Sequence, residues 1–366
     1  GLNTDSGRNK LTVSHVSGNV YTDIVVSCLL DYGEPNDQQA FDNTSNFTID
    51  LSYTKQYDRA IFTTPNKHQI DLKLKDKTYT EFRGISQDVS YVYLAPYNNT
   101  SSIIRSSKHR MTVEEISNIT LDATEQGAYK AIKIDPENNV GYLAPFKTTI
   151  INAGVNLGKI IKFNTNTFSS SDVSMVDLSA NDNNLTGFTG LDFDDTHIYL
   201  APNQNKTFVK LSKDVFDDNT VAGSDITSLD LSAKANVGSY SDVVVDTMFA
   251  YYSPENNGNL LRISTTNFAE GGYEFKDLTS IANGYSGMVQ DSTHVYLVSK
   301  DENTGKIVRV NKMDYPGPAE SIDLMTGINN QLIGFGGITQ DSEFIYLSPN
   351  KTAFIARIRK EPFDLS

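Results

Sequence analysis

The sequence predicts an all-β propeller, with seven blades preferred over six, each blade a sheet of four antiparallel strands. Three observations predict it. An Asp five residues before a Tyr recurs at Asp88/Tyr93, Asp194/Tyr199, Asp246/Tyr251, Asp291/Tyr296 and Asp341/Tyr346, and with two residues inserted at Asp135/Tyr142. Successive tyrosines of this set lie 45 to 57 residues apart, the period of propeller units and too long for the shorter solenoid repeats. Within one period four short apolar strands fit between turn residues, as GFTGLDF (187–193), HIYLAP (197–202), TFVKLS (207–212) and ITSLDLS (226–232) do in the third copy.

Residues 1–46 do not match the repeat and read as a short N-terminal β extension. LTVSHV (11–16) and DIVVSCLLDY (23–32) are its expected strands. They are expected to pack on the propeller edge, to dock onto a larger assembly, or to donate the fourth strand that the short C-terminal copy lacks, which would remove an exposed sheet edge. The propeller then covers 47–366. Residues 47–83 form a degenerate copy in which FTIDLSY, RAIFTTP, HQIDLKL and TYTEF stand for four strands, with Ile61 where Tyr is expected. If this copy is a blade the count is seven; if it is accessory structure the count is six.

Six clear copies follow, starting near Gly84, Gly127, Gly187, Gly238, Gly284 and Gly334. Glycine suits a crowded centre where backbones approach closely. The recurring Asp, followed by Ser, Thr or Asp, reads as a side-chain cap on the turn between first and second strands; the sharper alternative is a ring of carboxylates around a calcium ion. The second strand is apolar throughout because a blade is covered on both faces, and its Tyr has a buried ring whose hydroxyl must find a partner. The third strands each carry a cation, at Arg105, Lys162, Lys210, Arg262, Arg309 and Arg357, expected to be solvated or to bridge blades. The fourth strands end in VDLS, LDLS, KDLT or IDLM.

With 45 acidic against 31 basic residues and a net charge of −14, nucleic acid and anionic membrane surfaces are disfavoured as partners, since both require a basic footprint. No apolar run is long enough to insert across a bilayer. The single cysteine, Cys28, excludes intrachain disulfides and cysteine-based zinc sites. Five histidines are scattered, and His197 and His294 both stand two residues before the key Tyr, so they are repeat positions. Metal-protease, nucleophile-elbow and phosphate-loop motifs are absent. DENTG (301–305) and LDFDD (191–195) resemble calcium loops only loosely, so no cofactor is expected.

The unit is clearest in DVSYVYLAPYNNTSSIIR (88–105). With its counterparts, over about three-quarters of the chain, it resembles the β-propeller repeat superfamily. More narrowly it is similar to tandem-repeat propellers built on Asp-x-x-Tyr-(Val/Ile)-Tyr-(Leu/Phe)-x-Pro-Tyr, a loop, and a strand with a central Arg. The resemblance implies a non-catalytic surface or recognition module. Kelch and WD signatures are missing.

In such a fold the loops from second to third strands gather on one face around the channel. Here they carry Tyr97, Asn98 and Asn99; Phe146 with the insertion KTTIINAGVNLG; Asn203 and Gln204; Glu255 and Asn256; and Asp301 and Glu302. Tyr97 and Phe146 beside Asn-rich loops suit stacking on sugar rings, with amides bonding hydroxyls; the plainer reading has both rings capping the apolar end of their blades. The expectation is a non-enzymatic recognition or structural module outside the cytoplasm, on a virion, phage particle or cell surface, binding glycan or protein. The alternatives are a carbohydrate-active hydrolase or lyase, with acidic residues from at least two blades converging in the central cleft, and an architectural subunit docked through residues 1–46.

Overall fold

In each unit a strand of alternating character leads through an Asp-capped turn into an apolar one, and the two pair with the strands that follow. The structure is a computed structural model. It describes residues 72–363 apart from 98–100, 109–111, 123, 126–127, 147–157, 204, 219–220, 302, 328–331 and 350–355. The chain divides into two compact units, Gly1–Ile70 and Asp71–Ser366, and every described residue belongs to the second. The N-terminal extension, Cys28 and the boundary expected at 46/47 lie outside the described residues.

The described residues form six antiparallel sheets, each in chain order. The first is β1 (Phe82–Gln87), β2 (Tyr91–Pro96), β3 (Ser102–Ser107) and β4 (Ile116–Thr120). The second is β5 (Tyr129–Asp135), β6 (Val140–Pro145), β7 (Lys159–Asn164) and β8 (Val173–Asp177). The third is β9 (Phe188–Phe193), β10 (His197–Pro202), β11 (Thr207–Ser212) and β12 (Ile226–Asp230), and the fourth β13 (Tyr240–Val245), β14 (Phe249–Pro254), β15 (Asn259–Ser264) and β16 (Tyr273–Asp277). The fifth is β17 (Tyr285–Gln290), β18 (His294–Ser299), β19 (Lys306–Asn311) and β20 (Glu320–Asp323); the sixth has three strands, β21 (Phe335–Gln340), β22 (Phe344–Pro349) and β23 (Ala356–Arg359). First strands pack on first strands in the order β1, β5, β9, β13, β17, β21, which makes them the innermost layer of a propeller.

The six-blade alternative is thus what the described residues hold. Of the degenerate copy, Leu72–Leu74 is a 3-10 turn where the third strand was expected, and Phe82 already opens β1. The reason is local. Asp76 Oδ1 accepts from the Thr78 N–H and hydroxyl, both at 2.8 Å, and Glu81 takes a positive φ of 59°, so this segment turns instead of extending. The remainder, 47–71, and any strand donated to the last sheet by residues 11–16 or 23–32 lie outside the described residues. Among the described residues no helix is long and apolar enough to cross a membrane.

The recurring Asp does two jobs at once. Asp291 Oδ1 accepts the N–H groups of Thr293 and His294, both at 2.8 Å, while Oδ2 accepts the Tyr296 hydroxyl at 2.9 Å. The same hydroxyl bond is 2.5 Å at Tyr93–Asp88, 2.7 Å at Tyr199–Asp194 and 2.6 Å at Tyr346–Asp341. In these four blades the partner of the Tyr hydroxyl is therefore the Asp five residues earlier. In blade 2 the two extra residues let Asn138 take that place on Asp135, at 3.2 Å from its N–H and 3.0 Å from its side chain.

Directly across the sheet from each of these tyrosines stands the third-strand cation, as in Tyr93↔Arg105, Tyr251↔Arg262 and Tyr346↔Arg357. Four of them donate to a backbone carbonyl of the next blade, and Lys162 stands 3.9 Å from Asp217 of the next. Arg105 donates to Thr165 O at 2.5 Å, Lys210 to Thr265 O at 2.6 Å, Arg262 to Lys312 O at 3.0 Å and Arg309 to Lys360 O at 3.1 Å. In return Lys213, Lys312 and Lys360 reach back to the capping Asp of the preceding blade, at 3.3 Å from Asp135, 3.2 Å from Asp246 and 3.9 Å from Asp291. Each apolar cluster likewise lies between two adjacent blades, which is why the second strands are buried on both faces.

Candidate binding site at the channel mouth

The residue that follows each second strand is fixed by one backbone bond. The N–H groups of Tyr97, Phe146, Asn203, Glu255 and Lys300 donate to Glu81, Ala128, Gly187, Ser239 and Gly284, each lying just before its blade's first strand. Equivalent bonds at equivalent positions put these five side chains at one end of the innermost strands, around the mouth of the channel.

They fall into two touching groups. Tyr97 and Phe146 face each other with ring centroids 6.0 Å apart and planes tilted by 32°. The Arg83 guanidinium lies 4.4 Å above the Tyr97 ring and the Lys130 ammonium 5.2 Å above that of Phe146. Further round, Asn203 Nδ2 donates to Glu255 Oε2 at 2.9 Å, and Lys300 Nζ stands 3.7 Å from Glu255 Oε1. Lys130 joins the groups: burial lowers its pKa, Glu255 and Asp242 work against this, and Arg83 and Lys300 add to it as like charges.

Of the sequence-predicted residues, Tyr97, Phe146, Asn203 and Glu255 stand here. Tyr97 is buried and carries Arg83 on its face, so the pair presents cations over its rings. Asn256 Oδ1 accepts from Ser239 N at 3.1 Å, tying its loop to the segment that enters β13, and Asp301 Oδ1 accepts from Asn303 N at 2.9 Å within its own loop. Asn98, Asn99, Gln204 and Glu302 lie outside the described residues. Arg83, Lys130 and Lys300 were not singled out in the sequence.

Deeper in, three charges on consecutive blades face one another. Lys133 of β5 stands 3.7 Å from Asp192 Oδ1 of β9, and they keep 36% and 18% of their side-chain surface, so solvent reaches them. Asp192 Oδ2 accepts from Val245 N at 2.9 Å. Asp242 of β13 accepts from Val243 N at 2.9 Å and Met288 N at 3.3 Å. Asp192 is the main reason the Lys133 pKa is raised. Burial raises that of Asp242, Lys133 and the two N–H groups oppose it, and the Asp192 charge adds to the rise.

The strand registers identify these residues as exceptions. The position of Asp242, paired with Ser253, is Gly84, Ala131, Gly190, Gly287 and Gly337 in the other blades. At Gly190 an added Cβ would lie 2.7 Å from Asp242 Cα, so the scaffold favours small residues there. One residue earlier stand Arg83, Lys130, Thr189, Ser241, Ser286 and Gly336. Thr189 donates to Tyr240 O and Ser286 to Phe335 O at 2.7 Å, each in the next blade. Arg83 and Lys130 replace that staple with a charge.

No known family matches the chain, and no curated protein does. Among solved structures it is similar to a streptogramin B lyase (TM-score 0.56, 16% identity, 76% of this chain and 80% of that one). It is also similar to hydrazine synthase from Kuenenia stuttgartiensis (0.51, 13%, 77% and 84%) and to YCF48 bound to a D1 peptide (0.51, 11%, 76% and 76%). At these identities the likeness shows the propeller fold alone.

Proposed function

We propose that this chain is a non-catalytic recognition module that binds a glycan or protein at the channel mouth. The observation that carries this is the belt of Arg83, Lys130, Asn203, Glu255 and Lys300 around the Tyr97–Phe146 pair, polar and aromatic groups of five consecutive blades brought together at one end of the innermost strands. In this reading the protein belongs on a virion, phage or cell surface, as a composition rich in Asn, Ser, Thr and Tyr with one cysteine and no tryptophan suggests. A glycan-array screen of the purified chain beside a Phe146→Ala/Lys300→Ala variant tests it. Selective binding that falls at least about tenfold in a folded variant supports the site. Selective binding that survives removes it, and no binding to any glycan leaves a protein partner or an architectural role.

One observation favours a second reading, a carbohydrate-active hydrolase or lyase. Asp192 and Asp242 come from adjacent blades and face one Lys133, and burial pushes the carboxyl of Asp242 towards its protonated form. A carboxyl held that way can give a proton in a site where a second acidic side chain stands nearby. Asp242→Asn is informative in both readings. A carboxyl whose folded pKa is raised supports the fold below its unfolded value and loses that support as pH rises through the folded one, so at pH 7 its charge is a burden. The variant is expected to melt no lower than the parent at pH 7, with its relative advantage shrinking towards pH 4. A clear drop at pH 7 would make Asp242 a structural staple. An activity on a polysaccharide panel that disappears in this variant would select the second reading.

A further inference from the structure

We infer that Arg83 and Lys130 form the receptor for a single negatively charged group, the carboxylate of an acidic sugar, at the channel mouth. The inference rests on the mouth being the binding site, and it names the ligand class. Three observations converge on these two side chains.

Neither has an oxygen acceptor among the described residues. Their contacts are the Tyr97 and Phe146 rings. Many cations elsewhere in the fold are paired: Lys133, Lys213, Lys234, Arg262, Arg309, Lys312 and Lys360 all reach a carboxylate within 4 Å. In a chain with 45 acidic residues to 31 basic, these two neighbouring cations make no ion pair within 4 Å among the described residues, and Glu255 and Asp242 act on Lys130 only from beyond that distance. A half-buried ammonium without a directly paired counter-ion gains when a ligand supplies one.

Both also stand where the fold has a cheaper solution. Thr189 and Ser286 occupy the same register and tie their blade to the next through a backbone carbonyl. Ser241 bonds within its own blade and Gly336 has no side chain, so of the four blades without this staple only blades 1 and 2 put a cation in its place, each with an aromatic ring from the mouth position against the charged head. Departures from a locally consistent pattern concentrate where function requires them.

The surroundings select the ligand. Glu255, held by Asn203 and Lys300, is a carboxylate beside the cation pair. It accepts bonds from hydroxyl donors and repels a chain of successive negative charges. One carboxylate amid hydroxyls fits this better than an acidic peptide does, and the guanidinium of Arg83 suits a carboxylate's two oxygens.

The test titrates the intact chain with methyl glucuronoside, methyl glucoside and triglutamate, and repeats it with Arg83→Gln/Lys130→Gln and with the charge-retaining Arg83→Lys/Lys130→Arg. The glucuronoside is expected to bind at least about tenfold more tightly than the glucoside. The glutamine double variant should abolish that preference at unchanged melting temperature, and the charge-retaining one should keep most of it. Equal affinity for the two sugars, or a preference that survives the glutamine variant, overturns the anion receptor. If the glucoside binding is then lost in Phe146→Ala/Lys300→Ala, the mouth stands as the site without the anion. Tighter binding of triglutamate than of the glucuronoside overturns the acidic-sugar assignment, and no binding of any probe overturns both it and the mouth.

Discussion

Asp291→Ala is expected to destabilise the propeller by about 3 kcal/mol, measured as the shift of the chemical denaturation midpoint. Three losses add up. The turn between β17 and β18 loses the acceptor for the Thr293 and His294 N–H groups, which for a capping side chain costs about 1 kcal/mol. The Tyr296 hydroxyl, on a residue only 1% exposed, loses its partner, and an unsatisfied buried polar group costs about 1–3 kcal/mol. Lys360, reaching in from the next blade, loses its counter-ion. Tyr296→Phe removes the hydroxyl together with its need and is expected to cost only about 1 kcal/mol. Introduced into the Asp291→Ala background it should cost almost nothing. If the two changes add in full, the bond between them is not what holds the turn.

The same residue sets a pH dependence. Burial would raise the Asp291 pKa, but the Thr293 and His294 backbone bonds and the Tyr296 hydroxyl outweigh it and bring the value down to about 2. A carboxylate whose folded pKa is depressed contributes stability above its unfolded value near 4, and that contribution is lost as pH falls through the folded value. The parent should therefore lose stability between about pH 4 and pH 2, and Asp291→Ala should lose less over that window. Asp88, Asp194 and Asp341 are lowered in the same direction, so the acid sensitivity is shared among blades.

Such staples were legible in the sequence because one residue serves a local turn and a buried hydroxyl at a fixed offset. The strands of the third blade fall within two residues of their expected ends for the same reason: turn chemistry and apolar runs are local. The blade count was less legible, since HQIDLKL and TYTEF have strand-like composition while Asp76 and Glu81 bend the backbone between them. At the mouth, Tyr97, Phe146, Asn203 and Glu255 could be found because they follow the end of a strand. Arg83, Lys130 and Asp242 could not, because a charged residue inside a strand reads as ordinary. The signal was present in a different form. Setting FRGIS, YKAIK, FTGLD, YSDVV, YSGMV and FGGIT in register shows cations in the second column of two blades and an acid in the third column of one. Internal repeats thus supply the comparison by which exceptions are recognised, provided that the bulge after each first residue is taken into account.

Blade 2 holds another such exception, and its variants should be the most strongly coupled in the molecule. Gly141 of β6 pairs with Phe163 of β7, where the other blades pair Val92 with Ser106, Ile198 with Leu211, Ala250 with Ile263, Val295 with Val310 and Ile345 with Ile358. The glycine makes room for the ring: an added Cβ would fall against Cζ and Cε1 of Phe163 and 2.8 Å from its Cε2. The ring cannot withdraw, since it is fully buried with Tyr93 at 6.2 Å and Phe168 at 6.0 Å. Gly141→Val is therefore expected to cost about 3 kcal/mol through overpacking. Phe163→Val leaves a cavity and is expected to cost about 3 kcal/mol as well. The double variant recreates the Val–Val pair of blade 5 and should recover at least about 2 kcal/mol of the summed loss, as contacting residues do when their volumes compensate. Recovery will stop short of the parent, because the contacts of the Phe163 ring with Tyr93 and Phe168 are not replaced. Denaturation midpoints of the four proteins decide the matter: simple additivity would mean that the volume of the Gly141–Phe163 pair is not conserved as a unit, and that the ring is kept for its contacts with Tyr93 and Phe168 alone.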